Sequence, residues 1–102
     1  GPGLLESVYE ECMAYELGRR NLSVERQMSV PIQYDGNTLK TPLQLDLLIH
    51  KSVIVELKSV EKMNPIFESQ LMTYLRLSGL RLGYLINFNV PLVKNGIKRM
   101  VM

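Results

Sequence analysis

Glu56-Leu57-Lys58 closes a short apolar run, Val53-Ile54-Val55, that reads as a buried strand rich in β-branched residues. Side chains alternate along a strand, so Glu56 and Lys58 project from the same face. An unpaired charge there costs several kcal/mol, and a Glu-x-Lys in such a strand therefore needs a partner or water. A salt bridge, a strand end facing water and a metal site are the three readings. Asp46 is the lone charge in the apolar run Leu43–Ile49, one short turn (His50-Lys51-Ser52) earlier. An antiparallel hairpin about that turn pairs residue i with residue 102 − i and sets Asp46 opposite Glu56. Opposed residues share a face, and two like charges there are destabilising unless a cation lies between them. Mg²⁺ takes hard oxygen ligands and keeps several waters, so one or two carboxylates hold it. Asp46 and Glu56 supply these, with the backbone carbonyl of Leu57 as a third ligand. Such a metal lowers the pKa of a bound water and offsets the charge of a phosphate. Lys58 beside that water stabilises developing negative charge. The set suits phosphodiester hydrolysis assisted by Mg²⁺ or Mn²⁺.

Two helices carry the remaining candidates. Gln70 and Tyr74 are four apart and share a face. Gln70 is a candidate for orienting a phosphate or the attacking water; the plainer reading is a polar residue on an exposed helix face. Tyr74 is read as a core aromatic with a satisfied hydroxyl, with contact to the site as the rival. Glu6 is a candidate outer metal ligand, or else a carboxylate stabilised by the helix N-terminus. Tyr9, on the same face as Glu6, reads as core. Against a metal site, the bland alternative for Asp46, Glu56 and Lys58 is a structural ion pair at a strand end. His50 is the only histidine and falls in a turn, which argues against a histidine general base. Arg76, Arg81, Lys98 and Arg99 are candidate contacts to nucleic acid, but they are scattered and the signal is weak; Lys62 is a candidate contact to a phosphate backbone, with a solvated lysine the plainer reading.

These residues need elements to position them. A helix is expected from Leu4 to Arg20, with Pro2 and Gly3 at its start and Asn21 closing it. Its core stripe is read as Leu5, Val8, Cys12 and Tyr15, with Leu4 and Met13 beside them. Strand signals run over Val24–Met28 and Val30–Tyr34, with Pro31 marking an edge or a bulge. Asp35-Gly36-Asn37 is a hairpin turn, and the chain resumes at Thr38–Lys40. The two strands around His50-Lys51-Ser52 follow. Asn64 caps a second helix, Pro65 begins it and Gly79 ends it. Its core stripe is Ile66, Phe67, Leu71, Tyr74, Leu75 and Ser78. A strand over Leu82–Val90 is expected to run parallel to Val53–Lys58 through a helical crossover. Pro91 ends it, Lys94-Asn95-Gly96 turns the chain, and Ile97–Met102 is a last strand. This is a mixed sheet flanked by helices.

The 102 residues fit one domain over 1–102, and 46% hydrophobic residues can bury a small core. The formal charge of +2 permits a nucleic-acid partner without demanding one. Cys12 is the only cysteine, so no internal disulfide forms; it is expected as a buried thiol in a reducing, cytoplasmic setting. No run of about 18 apolar residues is present, so no membrane span is expected.

Asp46 followed by Glu56-Leu57-Lys58 resembles the PD-(D/E)XK nuclease superfamily, with Leu45 where that pattern often has proline. Gln70-Leu71-Met72-Thr73-Tyr74 is similar to the QxxxY element of its RecB-like exonuclease branch. Gly3-Leu4-Leu5-Glu6-Ser7-Val8-Tyr9 is similar to the motif that names the GxxExxY protein family, a small bacterial and archaeal group of that superfamily. The resemblance covers nearly the whole chain. It implies a restriction-endonuclease-like α/β fold with an αβββαβ core and a metal-dependent nuclease acting on nucleic acid, with DNA expected as the substrate. It implies Asp46, Glu56, Lys58 and Gln70 as the catalytic set, with Glu6 and Tyr74 supporting. A homodimer is a further expectation, by analogy, through an edge strand such as Ile97–Met102. Members of that family carry a further helical segment upstream of Gly1-Pro2-Gly3, so this chain is expected to be a trimmed or processed form. A catalytically inactive module on the same fold, binding nucleic acid or a protein, stays open.

Overall fold

A computed structural model describes residues 4–102. Pro2, and Gly3 at the head of the Gly-x-x-Glu-x-x-Tyr motif, lie outside the described residues. The elements are α1 (Leu4–Arg19), β1 (Val24–Val30), β2 (Gln33–Tyr34), β3 (Asn37–Thr38), β4 (Leu43–Ile49), β5 (Val53–Lys58), α2 (Pro65–Ser78), β6 (Leu82–Asn87), a 3₁₀ turn (Val93–Gly96) and β7 (Ile97–Val101). One sheet has the order β1-β4-β5-β6-β7, so the strand that carries Glu56 and Lys58 is its centre. β5 and β6 are parallel and the other neighbours antiparallel. The run α1-β1-β4-β5-α2-β6 is the αβββαβ core of a restriction-endonuclease-like fold. To it are added β7 and a separate β2–β3 hairpin.

Helices cover both faces of the sheet. On one side Leu71 and Leu75 of α2 pack with Leu43, Leu45, Leu48, Ile54 and Leu85. On the other, Met13 and Ala14 of α1 pack with Leu47, Val55, Leu57 and Ile86. Local signals set α2 as expected. Asn64 Oδ1 accepts from Ile66 N–H, Pro65 opens the helix, and Gly79 at φ +77 lets its N–H reach Leu75 O. In the β4–β5 hairpin, His50 and Lys51 both take positive φ, the conformation of primed hairpin turns.

Several expectations are corrected. The α1 stripe points outward: Leu4, Leu5, Val8 and Tyr15 are exposed, and so is Cys12. The one α1 residue that is fully buried is Glu10, 2% exposed. The helix has apolar residues on two sides. The sheet takes the side with Met13 and Ala14, where Arg26 reaches Glu10 across the interface at 3.0 Å. Ile66 of α2 is also exposed rather than core. Pro31 breaks the expected Val30–Tyr34 run, so β1 and β2 belong to different sheets. β6 stops at Asn87 rather than Val90. The buried Asn87 side chain bonds Val60 N–H, Val60 O and Asn89 N–H, which turns the chain away from the ladder.

Candidate active site

The β4–β5 ladder follows the expected register, Ile49↔Val53, Leu48↔Ile54 and Leu47↔Val55, and its last pair stops short of Asp46 and Glu56. There the side chains replace the ladder. Asp46 N–H donates to Glu56 Oε2 at 2.9 Å, and Leu57 N–H donates to Asp46 Oδ2 at 2.8 Å. Each carboxylate thus holds the backbone of the opposite strand, which locks the pair across the hairpin.

The interruption extends to β1. Leu47 packs on the α1 side, while Leu45 and Leu43 pack on the α2 side. A regular strand would keep all three on one face. The change of side falls at Asp46. Its neighbour across the β1–β4 ladder is Gln27, which is left out of the register between Arg26↔Leu47 and Met28↔Leu45. Gln27 has φ +47, a left-handed conformation that costs a residue with a Cβ roughly 1–2 kcal/mol. Its carbonyl leaves the ladder and accepts from Gln44 Nε2 at 2.8 Å. Its side-chain Nε2 donates to Glu10 Oε2 at 2.7 Å and to Asp46 Oδ1 at 3.3 Å.

Glu6, Gln27, Gln44, Asp46, Glu56, Lys58, Gln70 and Tyr74 line one polar cleft of about 230 Å³. All six side chains proposed from the sequence therefore meet at one place. Lys58 Nζ sits 4.5 Å from the Phe67 ring centre, a cation–π contact from α2. Among the described residues it makes no ion pair with Asp46 or Glu56, so the structural ion-pair reading finds no support. Gln70 Nε2 donates to Tyr74 Oη at 3.0 Å, one helical turn away. Tyr74 is half-buried against the core, as expected, and also forms part of the cleft wall. Glu6 lines the cleft, whereas Tyr9 stacks on Phe88, ring centres 4.3 Å apart. Residues that sequence reasoning missed are Glu10, Arg26, Gln27, Gln44 and Phe67. Glu10 left a faint signal, one turn after Glu6 on the same face. Gln27 left none, because glutamine does not announce a left-handed backbone.

Burial, and next the charge of Asp46, push the Glu56 carboxyl up from 4.5 to about 8; the Asp46 N–H and Lys58 pull the other way. Burial and the Glu56 charge also raise the Tyr74 phenol, against the Gln70 amide. A carboxyl pair in this condition takes a proton or a cation. Among the described residues no group of three His, Cys, Asp or Glu side chains gathers as a metal cluster. Mg²⁺ is held by one or two carboxylates and fills its other positions with water, so Asp46 and Glu56 fit a hard divalent ion without Glu6 in direct contact.

The sequence matches the profile of the PD-(D/E)XK nuclease superfamily over residues 1–100. The chain belongs to this superfamily. Membership in the PD-(D/E)XK superfamily points to a nuclease, and nucleases of this group generally use divalent metals. No curated protein matches the sequence. Among solved structures, the fold is similar to the crystal structure of SSO0001, with a TM-score of 0.68 at 22% identity. The likeness covers 95% of this chain and 50% of that one, so the chain spans half the length of SSO0001. At that identity the likeness speaks to the fold alone. No helix among the described residues is long and apolar enough to cross a membrane.

Proposed function

We propose that the protein is a divalent-metal-dependent nuclease that hydrolyses phosphodiester bonds in DNA. One observation carries this reading. Asp46 and Glu56 cross-brace the β4–β5 hairpin in a polar cleft with Lys58 beside them, and among the described residues neither carboxylate has an ion pair. Asp46, Glu56 and the Leu57 carbonyl would hold Mg²⁺ or Mn²⁺, which supplies Lewis-acid polarisation of a phosphate oxygen and a bound water of lowered pKa. Lys58, steadied over Phe67, stabilises charge that develops on the phosphate. Gln70 and Tyr74 form the α2 wall and orient the substrate phosphate or the attacking water, and Glu6 closes the α1 side. The Gly3–Tyr9 motif supports a place in the GxxExxY group.

The test is incubation with supercoiled plasmid, linear duplex, single-stranded DNA and RNA, in Mg²⁺, Mn²⁺ or EDTA, beside Asp46→Asn and Lys58→Ala. The expected result is metal-dependent cutting of DNA by the unaltered chain and little by either variant. No cutting of any substrate, or equal cutting by all three proteins, overturns the reading. A non-catalytic binding module draws on one observation, that among the described residues no third acidic side chain gathers with the pair as a metal cluster. It predicts DNA retention without product in the same assay. A homodimer through β7 would bring Lys98 and Arg99 of two copies together on an outer strand, which disfavours edge pairing. Sedimentation as a monomer would remove that expectation.

A further inference from the structure

We infer that Gln27, pinned by the buried Glu10, is a positioning residue that holds the Asp46 carboxylate in its cross-strand geometry. The inference rests on the reading of Asp46 as a metal-holding carboxylate and extends that site inward to α1 and β1.

The two hydrogens of a glutamine amide suit two acceptors. Gln27 Nε2 has two, Glu10 Oε2 at 2.7 Å and Asp46 Oδ1 at 3.3 Å. Glu10 is in turn held by Arg26 Nε at 3.0 Å, and Arg26 is half exposed. A chain of contacts therefore runs from the surface through α1 to Asp46. Its far end is Asp46 Oδ2, which accepts from Leu57 N–H. With Oδ1 on Gln27 and Oδ2 on Leu57, the carboxylate plane has little freedom left. A neutral amide is the fitting bridge between two carboxylates, since an acid would repel both and a cation would compete for them.

Backbone strain marks the same residue. Gln27 keeps φ +47 where glycine would sit without penalty. Strained conformations persist where the surroundings over-determine them, and they cluster at functional sites. Here the left-handed turn swings the Gln27 carbonyl to Gln44 and sends its amide to Glu10 and Asp46. What a glycine lacks at this position is that amide. Groups that orient a metal-ligating side chain commonly change metal affinity tenfold or more when removed.

The test compares the unaltered chain with Gln27→Gly, Glu10→Gln and Asp46→Asn. Three quantities are read: thermal midpoint, Mn²⁺ affinity by calorimetry, and hydrogen exchange at the Leu57 amide without metal. Gln27→Gly removes the strain but also takes the donor from the buried Glu10 Oε2, so the midpoint is read as a control and affinity and exchange should change by more than any shift in it explains. Its Mn²⁺ binding should weaken about tenfold. Leu57 exchange should quicken relative to Ile54 on the same strand. Glu10→Gln should shift affinity and exchange in the same direction. Parent-like Mn²⁺ affinity and Leu57 exchange in Gln27→Gly overturn the inference. So does a loss of affinity that merely tracks a lowered midpoint. Mn²⁺ binding that is absent from the parent, or that survives Asp46→Asn, would instead overturn the metal-site reading. Leu57 exchange needs no metal and still decides whether Gln27 holds Asp46.

Discussion

Glu56 is where the chemistry of the cleft meets its stability. Its carboxyl ionises near 4.5 in the unfolded chain and near 8 in the metal-free fold, raised first by burial and then by Asp46. Between those values the folded state binds the extra proton, so the Glu56 contribution is complete below pH 4.5 and is lost as pH rises to about 8. Thermal melts in EDTA should therefore show this decline in the parent, and Glu56→Gln should flatten it. A metal held by Asp46 and Glu56, as proposed, would expel that proton. Mn²⁺ affinity should rise by up to about tenfold per pH unit below pH 8 and then level off, as calorimetry at stepped pH will show. In the proposed mechanism Lys58 would act on a different quantity. Lys58→Ala should leave Mn²⁺ affinity near the parent value and slow cleavage by about 10²–10³-fold, the range for loss of one charge-stabilising donor. The identities and spacing of Asp46, Glu56 and Lys58 were legible in the sequence, because alternation and a short turn place them together. Gln27 and Glu10 were not, since their roles arise from a left-handed backbone and a helix packed from the far side.

At the scale of elements, the caps of α2 position Gln70 and Tyr74 over the cleft. Asn64→Ala removes the acceptor for Ile66 N–H and should cost about 1 kcal/mol in denaturant unfolding. Gly96→Ala should do far worse. A Cβ there would collide with the Asn87 carbonyl oxygen, so the 3₁₀ turn or the end of β6 must move. Urea unfolding should report a loss well beyond that of Asn64→Ala. The α2 boundaries were readable because Asn, Pro and Gly each act locally on the backbone. The orientation of α1 was not. Its apolar residues lie on two sides, and burial against the sheet chose the side that carries Glu10, Met13 and Ala14.

For the whole molecule, the outward stripe of α1 separates periodicity from packing. Val8→Lys should change stability by no more than about 0.5 kcal/mol, since Val8 is exposed. Leu71→Ala, in a fully buried position between α2 and the sheet, should cost about 2–5 kcal/mol in the same measurement. The sequence by itself determined the central β4–β5 hairpin and its register, the capped α2, the parallel β6 and the candidate carboxylate pair. Each depends on alternation, turn chemistry or capping, which act over a few residues. Only the tertiary structure decided which face of α1 is buried, where the β1–β4 register is interrupted at Gln27, and that the carboxylates take over the ladder's hydrogen bonds. Those outcomes depend on groups brought together from α1, β1, β4 and β5. A buried glutamate and a left-handed glutamine are tolerable only where distant partners satisfy them, and a local pattern does not record such partners.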